Sequence, residues 1–159
     1  MSPVCVYSVL GEFLMPLSRT IDPRDRFLRT TLTSPILLRD VEAHLNVVFG
    51  VGVEACPELI DARQIDPGNL SVREVMITLR HFGLGREEFA PRALVVSSES
   101  LFSVARTVSA LVSGWVRIGV FYDPDVAREW LMSRMSPLAM DAWRAALSRS
   151  ELFNLSETA

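Results

Sequence analysis

The sequence predicts an α/β domain: a single mixed, mainly parallel four- to five-stranded sheet with an N-terminal hairpin, flanked by helices. Three observations predict it. Short apolar runs bounded by turn residues ("ELIDAR", "RALVVSS", "WVRIGVFY") alternate with segments whose apolar residues recur at helical spacing. The helical segments carry start signals of the Ser-Pro, Asp-Pro or Ser-x-x-Glu type. Upstream, "LSRTIDPRDRFLRTTL" reads as two extended stretches around a turn. Strands that alternate with helices require right-handed crossovers and hence a largely parallel sheet. With 159 residues and no long linker, the chain suits one compact domain.

In order, residues 4–10 read as a short strand or a packed arm, within an N-terminal portion spanning 1–16. The hairpin follows: extended residues 17–21, a turn at Asp22, Pro23, Arg24 and Asp25, and a second strand from Arg26 to Leu32. Ser34 is the expected N-cap of the first helix and Pro35 its first residue, where a missing N–H costs nothing. Leu37, Leu38, Val41, Leu45 and Val48 hold helical spacing up to Gly50. The next strand is 57–62, with Asp61 near its end. Ser71 and Glu74 make a capping box for the helix behind it, and Leu70 with Val75 a hydrophobic staple. Val72, Val75, Met76 and Leu79 form that helix's apolar face, which ends near Phe82 and Gly83.

Residues 92–98 read as a buried strand. A helix follows with Leu101, Ala105, Val108 and Val112 on one face, closed by Gly114. The last strand is "WVRIGVFY". Asp123 then caps, Pro124 occupies the first turn, and Val126, Ala127, Trp130 and Leu131 are expected to turn inward. A second Ser-Pro start, Ser136 and Pro137, opens a final helix. The main domain therefore spans 17–135, and 136–159 is a C-terminal helix and tail.

Composition narrows the function classes. All 16 cations are arginine, a bias that codon usage explains; it excludes a P-loop or a Schiff-base lysine in their usual forms. A net charge of −3 without a basic stripe gives no reason to expect nucleic acid. Cys5 and Cys56 are too few for a zinc knuckle or a disulfide framework and fit a reducing cytoplasm. His44 and His81 have no partner ligand at i+4, so no metal or cofactor is expected. No positive n-region precedes the apolar N-terminus, so a secretory signal is not expected. No run of about 18 apolar residues is present, so no membrane span is expected either.

Several stretches together carry a family resemblance. A hairpin "RTIDPRDRFLRTTLTS" leads into a helix, a strand bears an Asp in "ELIDAR", and "RALVVSS" precedes the helix "LFSVARTVSALV". The closing stretch "RIGVFYDPDVAREWL" has an aromatic-ended strand, an Asp and a helix ending in Trp-Leu. Over residues 17–132 this pattern resembles the STAS-like, or SpoIIAA-like, family of small α/β domains. The resemblance implies a mostly non-catalytic bacterial regulatory domain. Some members antagonise anti-sigma factors and are switched by phosphorylation of a serine at the helix start after the Asp-bearing strand. Relatives with SEC14-like features are associated with apolar ligands.

The corresponding region here, "DARQIDPGNLSVRE", departs from the switch motif: Asp61 is followed by Ala62, and no hydroxyl sits beside it. Ser71 is the one serine at that helix start. It is the switch candidate, although a cap worth about 1 kcal/mol explains it without function. Helix starts at Ser71, Ser98 and Asp123 should converge at the carboxyl ends of the strands. Five acids there (Asp61, Asp66, Glu99, Asp123, Asp125) against Arg63 disfavour a phosphate ligand. Asp61 and Asp123 alone would make only a weak magnesium site, and no lysine or histidine completes a catalytic set.

The expected function is therefore protein recognition by a loop that includes Asp61, Arg63, Asp66, Asn69 and Ser71, with a protein partner or a second copy as a homodimer. The alternatives are a small apolar or lipid-like ligand held between the sheet and helices 37–49 and 71–82, and a metal-assisted enzyme using Asp61 and Asp123. Arg117 interrupts the last strand and implies an open edge or an ion pair. Trp143, Ala146 and Leu147 of the final helix can cover that side or meet a partner, so Arg117, Trp143 and Leu147 are the expected partner contacts.

Overall fold

The core of the molecule is a four-stranded all-parallel sheet with helices between its strands, seen in a computed structural model that describes residues 5–7, 17–21, 24–33, 37–43, 56–66, 71–83 and 90–156. The parallel strands are β3 (Leu28–Thr33), β4 (Glu58–Gln64), β5 (Arg92–Val95) and β6 (Ile118–Phe121), hydrogen-bonded in that order. β2 (Leu17–Ile21) lies antiparallel to β3, and β1 (Cys5–Tyr7) antiparallel to β2. The sheet thus has six strands where four to five are expected. The extra one, β1, has three residues, too few for an alternation signal to establish. The proposed turn residues Asp22 and Pro23 lie outside the described residues. Arg24 and Asp25 form the turn that remains, and Arg26 leaves it with φ 58° before β3 begins at Leu28.

Side-chain alternation divides the core in two. Leu59, Ala93, Val95 and Phe121 face one side, where Ala127 and Leu131 of α4 (Pro124–Met132) pack with Phe27. Ala62, Leu94, Val96, Ile118 and Val120 face the other, against Leu101, Phe102 and Ala105 of α3 (Glu99–Val112). On that side α3 also carries α2 (Val72–Gly83) through Met76, Val108 and Val112. Each fully buried Leu, Val or Phe contributes about 1.5–3 kcal/mol, so both layers matter.

The helix boundaries have local causes. Ser98 accepts the Leu101 amide (3.2 Å), and the expected stripe Leu101, Ala105, Val108 and Val112 is buried. Asp123 accepts the amides of Asp125 and Val126 (2.7 and 3.3 Å) ahead of Pro124. Ser136 accepts the Ala139 amide (3.1 Å) and starts α5 (Pro137–Ser156). The first helix, α1, is helical at 38–43, with Asp40 accepting the Leu37 amide (2.7 Å); Ser34, Pro35 and His44 lie outside the described residues.

One inward expectation is corrected, and Leu37 and Arg117 are also exposed. Val126 is 51% exposed, because the buried stripe of α4 runs through Ala127 and Leu131 and leaves position 126 on the solvent side. Leu37 is exposed ahead of the first helical turn. Arg117 does not interrupt a strand, since β6 starts at Ile118; its side chain is exposed while its carbonyl accepts the Arg92 amide (2.8 Å). Desolvation therefore sets no demand for a partner charge at Arg117.

Candidate functional site

The starts of α2, α3 and α4 all lie at the carboxyl end of the parallel strands, as the crossover connections require, so the acids of these loops share one end of the molecule. Asp61 is not at the end of its strand. β4 continues to Gln64, which places Asp61 in register with Thr31 and Val95. Its carboxylate is held by Arg63, whose Nε and Nη2 donate at 2.9 and 2.6 Å and whose amide donates at 3.2 Å. The hydrogen bond from Arg63 lowers the pKa of Asp61 below the ordinary aspartate value against a smaller opposing effect of partial burial, with the charge of Arg29 adding to the lowering. The Arg63 carbonyl accepts the Ser97 hydroxyl (2.7 Å), which ties the end of β4 to the loop after β5.

Ser71 caps α2 through the Glu74 amide (3.1 Å). The return bond differs from the expected capping box: the Ser71 hydroxyl donates to the Glu74 carboxylate (2.8 Å), rather than Glu74 accepting the Ser71 amide. A phosphate on Ser71 would stand beside that carboxylate, and the repulsion opposes the gain from the helix N-terminus. Asn69 and Leu70 lie outside the described residues, while Asp66 is exposed beside them.

Asp61 and Asp123 do not come together. β5 stands between their strands, and two strand spacings separate the chains by roughly 10 Å. Asp61 is taken by Arg63 and Asp123 by two amides. Among the described residues no group of three or more metal-ligating side chains is present. His81 lies in the last turn of α2, at the opposite end from Ser71.

Two arrangements escaped the sequence reading. At the amino ends of the strands, Glu58 and Arg92 are 1% and 7% exposed and paired through Arg92 Nε at 3.2 Å. The Thr30 hydroxyl donates to Glu58, and Arg92 also donates to the Cys56 carbonyl. The signal was present: opposite charges open the two apolar strands "ELIDAR" and "RALVV", and Glu58 and Arg92 are register partners. By alternation this polar layer faces the α2 and α3 side of the sheet. At the carboxyl ends, Phe102 and Tyr122 stack with ring centroids 4.7 Å apart and planes 11° apart. Tyr122 and Val126 remain half exposed.

Of the expected partner contacts, Trp143 is 2% exposed, so its indole is consumed by the fold; the side chain of Leu147 lies outside the described residues. β6 is the last strand of the sheet, and its short outer side is partly blunted. Arg92 and Val96 donate to the carbonyls of Arg117 and Phe121, so the groups of Ile118 and Val120 turn outward. The Ile118 carbonyl there accepts the Ser109 hydroxyl (2.6 Å).

No family model matches the chain, and neither a curated protein nor a solved structure does. Among the described residues no helix is long and apolar enough to cross a membrane.

Proposed function

We propose that this chain is a STAS-like domain that acts in bacterial regulation by recognising a protein partner at the carboxyl end of its parallel strands, without catalysing a reaction. The observation that carries the reading is how the side chains with chemical potential at that end are spent. Asp61 is clamped by Arg63, Ser71 is bonded to Glu74, and Asp123 holds two amides. These bonds fix the end of β4 and the starts of α2 and α4, and fixed backbone with exposed side chains suits recognition. Strand–helix alternation in sequential order and the Asp-bearing strand β4 support the family resemblance.

Affinity capture from cells that make the protein tests the reading. The expected result is a defined partner retained by the wild-type chain and lost with the double variant Arg63→Ala, Asn69→Ala, both forms giving the same far-UV circular dichroism. Identical retention on wild-type protein and on a blank matrix overturns it.

A further inference from the structure

β5 pairs with one side of β6, and α3 and α4 pack on its two faces. Among the described residues no strand pairs with the other side. The backbone groups of Ile118 and Val120 turn that way, because those of the residues between and around them serve β5. Of these outward groups the Ile118 carbonyl accepts the Ser109 hydroxyl and keeps a second lone pair. The Ile118 N–H and both groups of Val120 form no hydrogen bond among the described residues. Val120 is only 8% exposed, and unpaired backbone groups on so buried a residue call for an explanation.

This side of the strand is complementary to itself. In an antiparallel pair, residues with outward groups stand opposite one another. Setting Ile118 against Val120 of a second copy meets that condition twice and puts Gly119 on the two-fold axis. Every outward group of both residues then finds a partner. The side chains agree with the register. Ile118 and Val120 are β-branched and share the α3 face, so they meet as a favourable cross-strand pair. On the α4 face Arg117 stands opposite Phe121 of the second copy, where a guanidinium gains from the ring. Arg117 is exposed and in no ion pair among the described residues. The two Arg117 side chains fall at opposite ends of the ladder, so like charges do not face each other. On the axis the chains approach most closely, in a non-hydrogen-bonded pair, and there Gly119 has no side chain to clash; its own Phe121 ring fills the place of the Cβ.

We infer that two copies of this chain pair antiparallel through β6, which joins their sheets into one across a two-fold axis. The inference goes beyond the recognition reading above and does not depend on it. β5 lies between β6 and the strand that carries Asp61 and Arg63, so the paired edge faces away from them.

The test uses the full chain in sedimentation velocity over a concentration series, with amide hydrogen exchange followed by NMR at both ends of it. The expected result is a monomer–dimer equilibrium in which the Ile118 and Val120 amides gain protection as the dimer forms. The Gly119 and Phe121 amides, which already serve β5, should change little. In a mixture of labelled and unlabelled chains, an intermolecular contact should join the Hα protons of Arg117 and Phe121. Ile118→Pro removes an outward donor at the first residue of the strand, where proline leaves the β5 ladder intact. It should weaken dimerisation at least tenfold. A chain that stays monomeric at sub-millimolar concentration overturns the inference. So does a dimer whose Ile118 and Val120 amides exchange as fast as in the monomer, or a folded Ile118→Pro variant that dimerises like the wild type. If that variant does not fold, exchange in the wild-type chain decides. The double variant Arg63→Ala, Asn69→Ala should dimerise normally, so loss of a captured partner there bears on the recognition reading alone.

Discussion

Glu58 and Arg92 set the highest stakes for a single side chain. Both are almost fully buried, so removing one deprives the other of this ion pair in a low-dielectric layer. Glu58→Gln or Arg92→Met alone should cost about 3–5 kcal/mol in chemical denaturation, whereas the double variant Glu58→Leu, Arg92→Met should recover much of that loss. Asp61 and Arg63 form the contrasting case. Their pair is largely exposed, so Arg63→Ala should change stability by about 1 kcal/mol or less. The clearer readout is titration. Because the folded pKa of Asp61 is depressed, its contribution to stability is present above the unfolded value of about 4 and is lost as pH falls through the folded one. Carboxyl NMR should find Asp61 titrating below ordinary aspartates in the wild type and closer to them in Arg63→Ala.

Among the elements, β6 and α4 are coupled through a glycine. A Cβ on Gly119 would lie 2.5 Å from the Phe121 ring and 3.1 Å from Trp130, so the absence of a side chain is what lets these rings cross the sheet face. The two rings sit at 5.5 Å, tilted by 58°. Gly119→Ala should destabilise by about 1–3 kcal/mol and alter the near-UV signal of Trp130, as overpacking displaces the ring pair. The helices were the most legible elements in the sequence, because their caps and stripes are local: Ser98, Asp123 and Ser136 cap where the spacing placed them. Strand ends were less legible, since hydrogen-bond registers depend on residues far apart. "WVRIGVFY" carries strand-like residues throughout, yet only Ile118–Phe121 finds a partner. The candidate site was legible in its residues and not in its bonds. Nothing in "DARQ" states that Asp61 bonds Arg63 two positions on, an arrangement that an extended strand permits by placing 61 and 63 on one face.

At the scale of the molecule, α5 contributes buried side chains. Ala139 and Trp143 are 4% and 2% exposed, so the helix has a buried face. Trp143→Ala should therefore cost about 3–5 kcal/mol by differential scanning calorimetry or denaturant titration, far more than loss of a surface contact. A change below about 1 kcal/mol would show that α5 is an appendage.

The strand order has a further consequence for how the molecule comes into being. From β1 to β6 each strand pairs with the one made immediately before it, so the sheet can lengthen at a single growing edge as the chain leaves the ribosome. No strand has to wait for, or insert between, strands made later. α4 packs back across β4, β5 and β6 and closes over the face of the sheet opposite α3. Nascent chains ending before Pro124 should thus present an assembled sheet with one face still uncovered, the face a chaperone would meet.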